Sequence, residues 1–234
     1  MNLIKILNEG TTIHTSGTTG PNKPIHQPVE KIRGANKVAR DVQMITKDSK
    51  VYTVCSMDHA GGLFAQTLPA VEVKAQVHIE TFNPFKWVNT IKDSTHSHLT
   101  PGMAEAVTRT NSWKDIDLTG KIIACGSDRV PASTINKFVD KGCTFIANWG
   151  MSEVGPIAIN KTFTPSSPEA KDMEIDGRTC TIMGDELFVD IDISDWFDEL
   201  SVKGDLSVYE DWFFTGDVVK HKEGQYWYYG RKSS

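Results

Sequence analysis

The sequence lacks the features that mark membrane, secreted and nucleic-acid-binding proteins. No apolar run is long enough to span a bilayer, and the first apolar residues meet Asn8 and Glu9 too soon for a secretory signal. No basic run occurs, and 30 Asp and Glu residues outnumber 25 Lys and Arg residues, which gives a net charge of -5. We therefore expect a cytoplasmic protein without a membrane segment or a nucleic-acid partner.

Cysteine is also scarce, with four residues at Cys55, Cys125, Cys143 and Cys180. They form no Cys-x-x-Cys pair and lie in or beside apolar stretches, so we expect them to be reduced and mostly buried. His96 and His98 alternate along a predicted strand, but no Cys or carboxylate lies near them at ligand spacing. A solvated strand surface is therefore a better interpretation of the two histidines than a metal site.

What the sequence does contain is an alternation of strand and helix patterns. The spacing of apolar residues and the positions of turn residues predict helices at residues 29–45, 63–70 and 132–140. They predict strands at residues 51–55, 71–79, 121–125 and 143–147. After about residue 156 the pattern changes to short extended pieces separated by turns. The fold class is therefore α/β, a largely parallel sheet with flanking helices followed by a small antiparallel or barrel-like β subdomain. Ligands are expected at the carboxyl ends of the parallel strands.

A hydroxyl-rich glycine turn, TSGTTGPNK at residues 15–23, is typical of a phosphate cradle. Its glycines can direct several backbone N–H groups toward one anion, and Lys23 adds a positive charge. The turn differs from the P-loop of nucleotide hydrolases, because Pro21 and Asn22 separate Gly20 from Lys23. The predicted order of strand, turn and helix would let a helix N-terminus face the anion. A plain surface turn is the alternative.

Four motifs follow one another along the chain: residues 15–23 (TSGTTGPNK), 148–153 (NWGMSE), 214–217 (FTGD) and 230–232 (GRK). In type and order they resemble the motifs of the adenylate-forming synthetases, which include acyl- and aryl-CoA ligases, luciferases and peptide-synthetase adenylation domains. Two further stretches resemble this family more weakly: residues 57–62 its acyl-pocket loop and residues 126–131 its adenine loop. The resemblance spans nearly the whole chain.

The resemblance implies that a carboxylic acid attacks the α-phosphate of ATP and releases pyrophosphate, leaving an acyl-adenylate. The phosphates would be held by Thr15, Ser16, Gly17, Thr18, Thr19, Gly20 and Lys23. The rest of the nucleotide would contact Gly126, Ser127, Asp128, Asn148, Trp149, Gly150, Met151, Ser152, Asp217 and Arg231. The implied catalytic residues are Lys23, Thr18, Ser152 and Glu153. The small-molecule carboxylic acid would lie against His59, Gly61, Gly62, Gly150 and Met151.

Individual roles within this set follow from the same resemblance. Glu153 would hold Mg2+, a hard cation that prefers carboxylate and phosphate oxygens. Trp149 stands in place of the family's tyrosine and still offers a flat face to adenine. Asp217 can accept from both ribose hydroxyls at once. Taken singly, the alternatives are a core aromatic for Trp149, a surface carboxylate for Glu153 and a turn residue for Asp217.

The resemblance also implies that parts of the family's fold lie outside this sequence. We expect residues 1–46 to be the remnant of a first α/β subdomain, residues 47–156 a second one, and residues 157–234 a β-rich subdomain ending at a hinge. The family's C-terminal domain supplies a lysine for adenylation, so the chain alone should be a weak or partner-dependent catalyst. The expected partner is either a second copy of the chain, which would cover the face left exposed, or a separate chain that supplies the missing domains.

Two further interpretations stay open. The chain is either such a ligase or a non-catalytic module that binds AMP, ATP or an acyl-adenylate. It is also either a natural short protein or a piece of a longer enzyme. The sequence does not identify the carboxylic acid.

Overall fold

The computed structural model describes residues 1–15, 23–193 and 198–232. Its strands are β1 (Thr11–His14), β2 (Pro24–Gln27), β3 (Lys50–Thr53), β4 (Gln76–Ile79), β5 (His96–Leu99), β6 (Ile122–Cys125), β7 (Thr144–Met151), β8 (Gly155–Phe163), β9 (Met173–Ile175), β10 (Arg178–Gly184), β11 (Glu186–Leu187), β12 (Asp190–Ile193), β13 (Glu199–Lys203), β14 (Phe213–Lys222) and β15 (Gln225–Arg231). Its helices are α1 (Leu3–Glu9), α2 (Val29–Gln43), α3 (Ala60–Gly62), α4 (Leu68–Glu72), α5 (Pro84–Thr90), α6 (Pro101–Thr108) and α7 (Ala132–Val139). A π-helical turn, Leu63–Thr67, joins α3 to α4, and short 3-10 helices span Ile91–Asp93 and Asn111–Asp115.

Within these residues the largest element is a seven-stranded sheet in the order β11-β8-β7-β6-β5-β3-β4. The five strands from β7 to β4 run parallel. At the β7 edge, β8 pairs antiparallel with β7 and β11 pairs antiparallel with β8. All four residues of β5 and of β6 are buried, as expected for parallel strands covered on both faces. The predicted largely parallel sheet is confirmed.

Helices cover both faces of this sheet. On one face α5, α6 and α7 pack over a core that includes Trp87, Phe138 and Phe145. On the other face lies α2, whose Val42 packs against a cluster of strand residues that includes Ile146. The alternation of Phe145 and Ile146 between the two clusters shows how β7 contributes to both cores.

A six-stranded antiparallel sheet in the order β12-β13-β14-β15-β10-β9 forms the second layer of the described structure. Val202 and Val219 of this sheet share a core cluster with Ala158 and Ile159 of β8, so the two sheets pack together at the β8 edge. The expected antiparallel region after the α/β part is therefore present. The three subdomain boundaries stay a prediction.

Two local predictions differ from the structure. The strand predicted at residues 71–79 begins only at Gln76, because α4 continues to Glu72 and Lys74 turns the chain with a φ of 60°. The predicted order of strand, glycine turn and helix is also wrong. β2 lies between the turn and α2, and it pairs antiparallel with β1 through the buried Ile13 and Ile25.

The expected burial of the cysteines is confirmed, since all four are buried and free. The expected solvated position of His96 and His98 is wrong. These side chains are only 3% and 4% exposed, because β5 lies in the middle of a sheet that is covered on both faces. Among the described residues, no group of three or more His, Cys, Asp or Glu side chains could hold a metal ion. No helix in these ranges is long and apolar enough to cross a bilayer.

Candidate functional site

The candidate site lies at the carboxyl ends of the central parallel strands, where β6 and β7 finish side by side. The pairing of Cys125 with Ala147 brings Gly126 against Asn148. A Cβ on Gly126 would lie 2.5 Å from both the main-chain oxygen and Oδ1 of Asn148, so only glycine permits this approach. Asn148 Nδ2 is buried and has no hydrogen-bond partner in the described structure.

The hairpin of β1 and β2 carries the two flanks of the glycine turn. The Thr15 N–H donates to the Lys23 oxygen at 3.0 Å, and the Lys23 N–H donates to Thr15 Oγ1 at 3.1 Å. These bonds hold the ends of the turn together and leave the Lys23 side chain exposed. The predicted phosphate contacts of Ser16, Gly17, Thr18, Thr19 and Gly20 lie outside the described residues and stay predictions.

The hairpin is attached to the turn between β7 and β8 that carries Ser152 and Glu153. Gln27 of β2 donates from Nε2 to the Ser152 oxygen at 2.6 Å. The Val208 N–H donates to the Glu153 oxygen at 2.9 Å. Two predicted catalytic residues are thus fixed through their backbone, while their side chains are half-buried at the surface of the site.

Glu153 lies in a mixed electrostatic environment. Burial raises the pKa of its carboxyl group, whereas a hydrogen bond from its own backbone and the charges of Arg231 and Lys23 act to lower this pKa. Lys23 and Arg231 come from nearly opposite ends of the described chain, so Glu153 is a point at which the predicted motifs converge. A half-buried carboxylate beside the candidate phosphate-binding turn suits a hard divalent cation such as Mg2+.

Asp217 of β14 is the most buried charged residue among the predicted site residues, with 6% of its surface exposed. Trp149 Nε1 donates to Asp217 Oδ2 at 2.9 Å, and Arg231, its partner in the β14–β15 register, places Nη1 3.8 Å from Oδ1. Burial raises the pKa of Asp217, and the Trp149 hydrogen bond and the Arg231 charge act to lower it. The Trp149 and Asp217 side chains, predicted to contact the base and the ribose, are therefore in direct contact with each other.

The residues predicted for the acyl pocket fall into two groups. His59 Nδ1 lies 3.4 Å from the His14 oxygen, so this side chain is next to the hairpin. A Cβ on Gly61 would lie 3.3 Å from Ser127 Oγ, which brings α3 against the loop after β6. Gly62 lies against the backbone of Ser56, where a Cβ would come within 2.1 Å of an oxygen.

The second group, Gly150 and Met151, lies at the irregularity where β7 turns into β8. A Cβ on Gly150 would lie 2.4 Å from the Gly155 oxygen. Met151 packs at the edge of the core cluster shared by the two sheets. The structure places this group next to Ser152, whereas the His59 group adjoins Ser127. Asp128 is exposed and accepts the Arg129 N–H at 2.7 Å.

The sequence interpretation missed three residues that the structure brings to the site. Gln27 has no motif signal. Tyr228 lies near Asp217 and acts to lower the pKa of its carboxyl group. His98 approaches Gly61, where a Cβ would lie 3.2 Å from its Cε1, and Cys55 Sγ lies 3.5 Å from its Nδ1. Only the position of His98 at the end of a predicted strand could have indicated it.

Known proteins are similar to this chain in sequence or in fold. An indoleacetate–CoA ligase of Aromatoleum aromaticum (strain DSM 19018 / LMG 30748 / EbN1) is 27% identical over 243 aligned residues, covering 94% of this chain and 47% of the ligase. ATP-bound MatB from Rhodopseudomonas palustris is 19% identical with a TM-score of 0.73, covering 94% of this chain and 47% of MatB.

O-succinylbenzoate coenzyme A synthetase (MenE) from Bacillus subtilis, solved with ATP and a magnesium ion, is 20% identical with a TM-score of 0.74. The comparison covers 93% of this chain and 49% of MenE. The chain therefore spans about half the length of the relatives it matches. The family model described as "AMP-binding enzyme" matches residues 11–196. This match extends over most of the chain, and the protein belongs to the AMP-binding enzyme family.

Proposed function

We propose that this protein is an AMP-forming ligase-type enzyme that activates a small-molecule carboxylic acid as its acyl-adenylate. The observation that carries the proposal is the convergence of Glu153, Asp217 and Arg231 at the carboxyl ends of the parallel strands. The Arg231 charge acts on both carboxyl groups, although the three residues belong to three separate motifs. The family membership supports ATP and AMP as the nucleotides.

The described residues fit a nucleotide in four places. The unpartnered Asn148 amide offers a donor to the base, and the indole of Trp149 offers a flat face. Asp217 offers carboxylate oxygens to the ribose hydroxyls. Lys23 offers a positive charge to the phosphates at the end of the hairpin.

The proposed reaction depends on positioning and on charge neutralisation. A carboxylate oxygen of the acid forms a bond to the α-phosphorus, and the bond from that phosphorus to the bridging oxygen breaks, so that pyrophosphate leaves with the electron pair. Lys23 and Arg231 stabilise the negative charge on the phosphate oxygens. Mg2+ held by Glu153 would neutralise further phosphate charge.

We propose that the acid binds near His59, Gly61 and Ser127, because these residues lie between the hairpin and the loop after β6. Indoleacetate is the first acid to test, since the name of a relative that covers 94% of this chain contains it. We propose further that turnover by this chain alone is slow, because the chain spans 47% of that relative.

Exchange of labelled pyrophosphate into ATP tests this function. We expect exchange that depends on an acid from a panel of aryl, arylacetic and aliphatic acids, and that falls at least about tenfold in Glu153→Gln and Asp217→Asn. Exchange no higher than in these variants, for every acid, would contradict adenylate formation. AMP or ATP binding without exchange would favour the alternative of a non-catalytic nucleotide-binding module.

A further inference from the structure

The side-chain hydrogen bond between Trp149 and Asp217 joins the end of β7 to β14, two elements of different sheets. Its N···O distance of 2.9 Å is that of a well-formed bond, and its acceptor belongs to a carboxyl group that is 6% exposed. Hydrogen bonds to an ionised acceptor are roughly twice as strong as neutral ones, and burial reduces competition from water. This contact therefore determines how the Asp217 carboxyl group is oriented.

The indole side chain is suited to this arrangement for a geometric reason. Its N–H lies in the ring plane at the edge, so the same side chain can donate from its edge while its face stays available to a base. Phenylalanine would keep the face and lose the donor. Tryptophan at position 149 therefore combines a flat face with a hydrogen-bond donor, whereas contact with a base requires only the face.

The other contacts of Asp217 leave part of its carboxyl group available. Its main-chain N–H donates to Thr215 Oγ1 at 3.1 Å, which fixes the backbone rather than the side chain. Arg231 Nη1 is 3.8 Å from Oδ1, a distance for charge attraction rather than for a short hydrogen bond. A carboxylate offers about four lone-pair positions and the Trp149 hydrogen bond occupies one, so at least two remain for neighbouring hydroxyl groups.

We infer that Trp149 is a positioning residue for ribose recognition, whose indole N–H holds the Asp217 carboxylate in the orientation that accepts from both ribose hydroxyls. This inference rests on the proposed function, which assigns Asp217 to the ribose. It adds that the Trp149 N–H contributes to binding only through Asp217. The contribution should therefore depend on the sugar hydroxyls and on the charge of residue 217.

Calorimetric titrations with AMP and with 2′,3′-dideoxy-AMP test this dependence in Trp149→Phe, Asp217→Asn and the double variant. We expect Trp149→Phe to weaken AMP binding about tenfold, the size expected for a hydrogen bond to a charged group, and to change dideoxy-AMP binding about twofold or less. In the Asp217→Asn background the same substitution should change AMP binding about twofold or less. Trp113→Phe, a substitution outside the site, serves as the matched control, and thermal melting verifies that each variant is folded.

A second readout needs no nucleotide. The chain has six tryptophans, and the indole N–H resonance that disappears in Trp149→Phe is that of Trp149. We expect this resonance to shift in Asp217→Asn, because the acceptor changes from a carboxylate to an amide oxygen.

Three results would each overturn this inference and leave the proposed function standing. The first is an equal loss of AMP and dideoxy-AMP binding in Trp149→Phe, and the second is an equal loss of AMP binding when Trp149→Phe is made in the Asp217→Asn background. The third is an indole N–H resonance that does not shift in Asp217→Asn. Absence of AMP binding by the wild-type chain would overturn both the inference and the proposed function.

Discussion

Gln27 donates from Nε2 to the main-chain oxygen of Ser152 at 2.6 Å, and this bond ties the β1–β2 hairpin to the β7–β8 turn. Gln27 is only 5% exposed, so the bond is protected from water. Lys23 precedes Gln27 in the hairpin, and Glu153 follows Ser152 in the turn. The bond therefore fixes the distance between the candidate phosphate-binding turn and the candidate metal ligand.

Replacement of Gln27 by leucine should separate these two parts of the site. The variant leaves the part-buried Ser152 oxygen without its donor, and we expect it to lower the free energy of unfolding by about 1 to 3 kcal/mol. Binding of MgATP should weaken more than binding of AMP, because AMP lacks the β- and γ-phosphates. Urea unfolding and calorimetry measure the two effects. Gln76→Leu, at an exposed position of β4, is the matched control. Equal losses for the two nucleotides would contradict the proposed link.

Gly126→Ala should disrupt the junction of β6 and β7. The added methyl carbon would come within 2.5 Å of the main-chain oxygen of Asn148, so the backbone must shift. We expect a loss of about 1 to 3 kcal/mol in unfolding free energy together with weaker AMP binding. Gly102→Ala is the control, because nothing lies within 4 Å of its added carbon and alanine favours helix α6. An unchanged melting temperature and AMP affinity in Gly126→Ala would show that the junction does not need glycine.

His98 should make the protein less stable in mild acid. Burial lowers its pKa to about 4 from the usual 6.5, so between these values the unfolded chain binds a proton that the folded chain does not. Stability conferred by the neutral imidazole is therefore complete above about pH 6.5 and is lost as the pH falls toward 4. From pH 7 to pH 5 the expected loss from His98 is about 2 kcal/mol.

Urea unfolding of His98→Gln at these two pH values measures this contribution. The variant should show a smaller acid loss than wild type, although not none, because burial also lowers the pKa of His96. His26→Gln replaces an exposed histidine and controls for the substitution itself. If His98→Gln loses as much stability in acid as wild type, His98 is not the buried neutral group that the structure indicates.

The sequence predicted which loops lie together at the candidate site better than it predicted their side-chain contacts. Gly126 and Asn148 follow apolar strands, and parallel strands bring their carboxyl ends to one edge, so their proximity could be expected. The role of the Trp149 ring face toward a base was predicted, but its hydrogen bond to Asp217 was not. This bond joins residues 68 positions apart and depends on how the two sheets pack together, which no local sequence pattern encodes. β2 was missed because it has only four residues and begins with proline.

The same limit explains the error at the histidines. Alternation of His96 and His98 with other residues is typical of a half-exposed strand, yet β5 lies between β3 and β6 and is covered on both faces. His96 is accommodated there by a 2.8 Å contact between Nε2 and the Gln43 oxygen. Such a partner comes from tertiary structure, not from spacing along the strand.

The central claim is that the candidate site at the carboxyl ends of β6 and β7 binds an adenine nucleotide through Asp217. Calorimetric titration of AMP tests this claim most directly. The account predicts saturable binding of one AMP per chain and a loss of at least about tenfold in Asp217→Ala, since a buried charge partner is removed. Asp48→Ala, at an exposed position, should bind AMP like wild type. Absence of binding at millimolar AMP, or equal affinities of wild type and a folded Asp217→Ala variant, would contradict it.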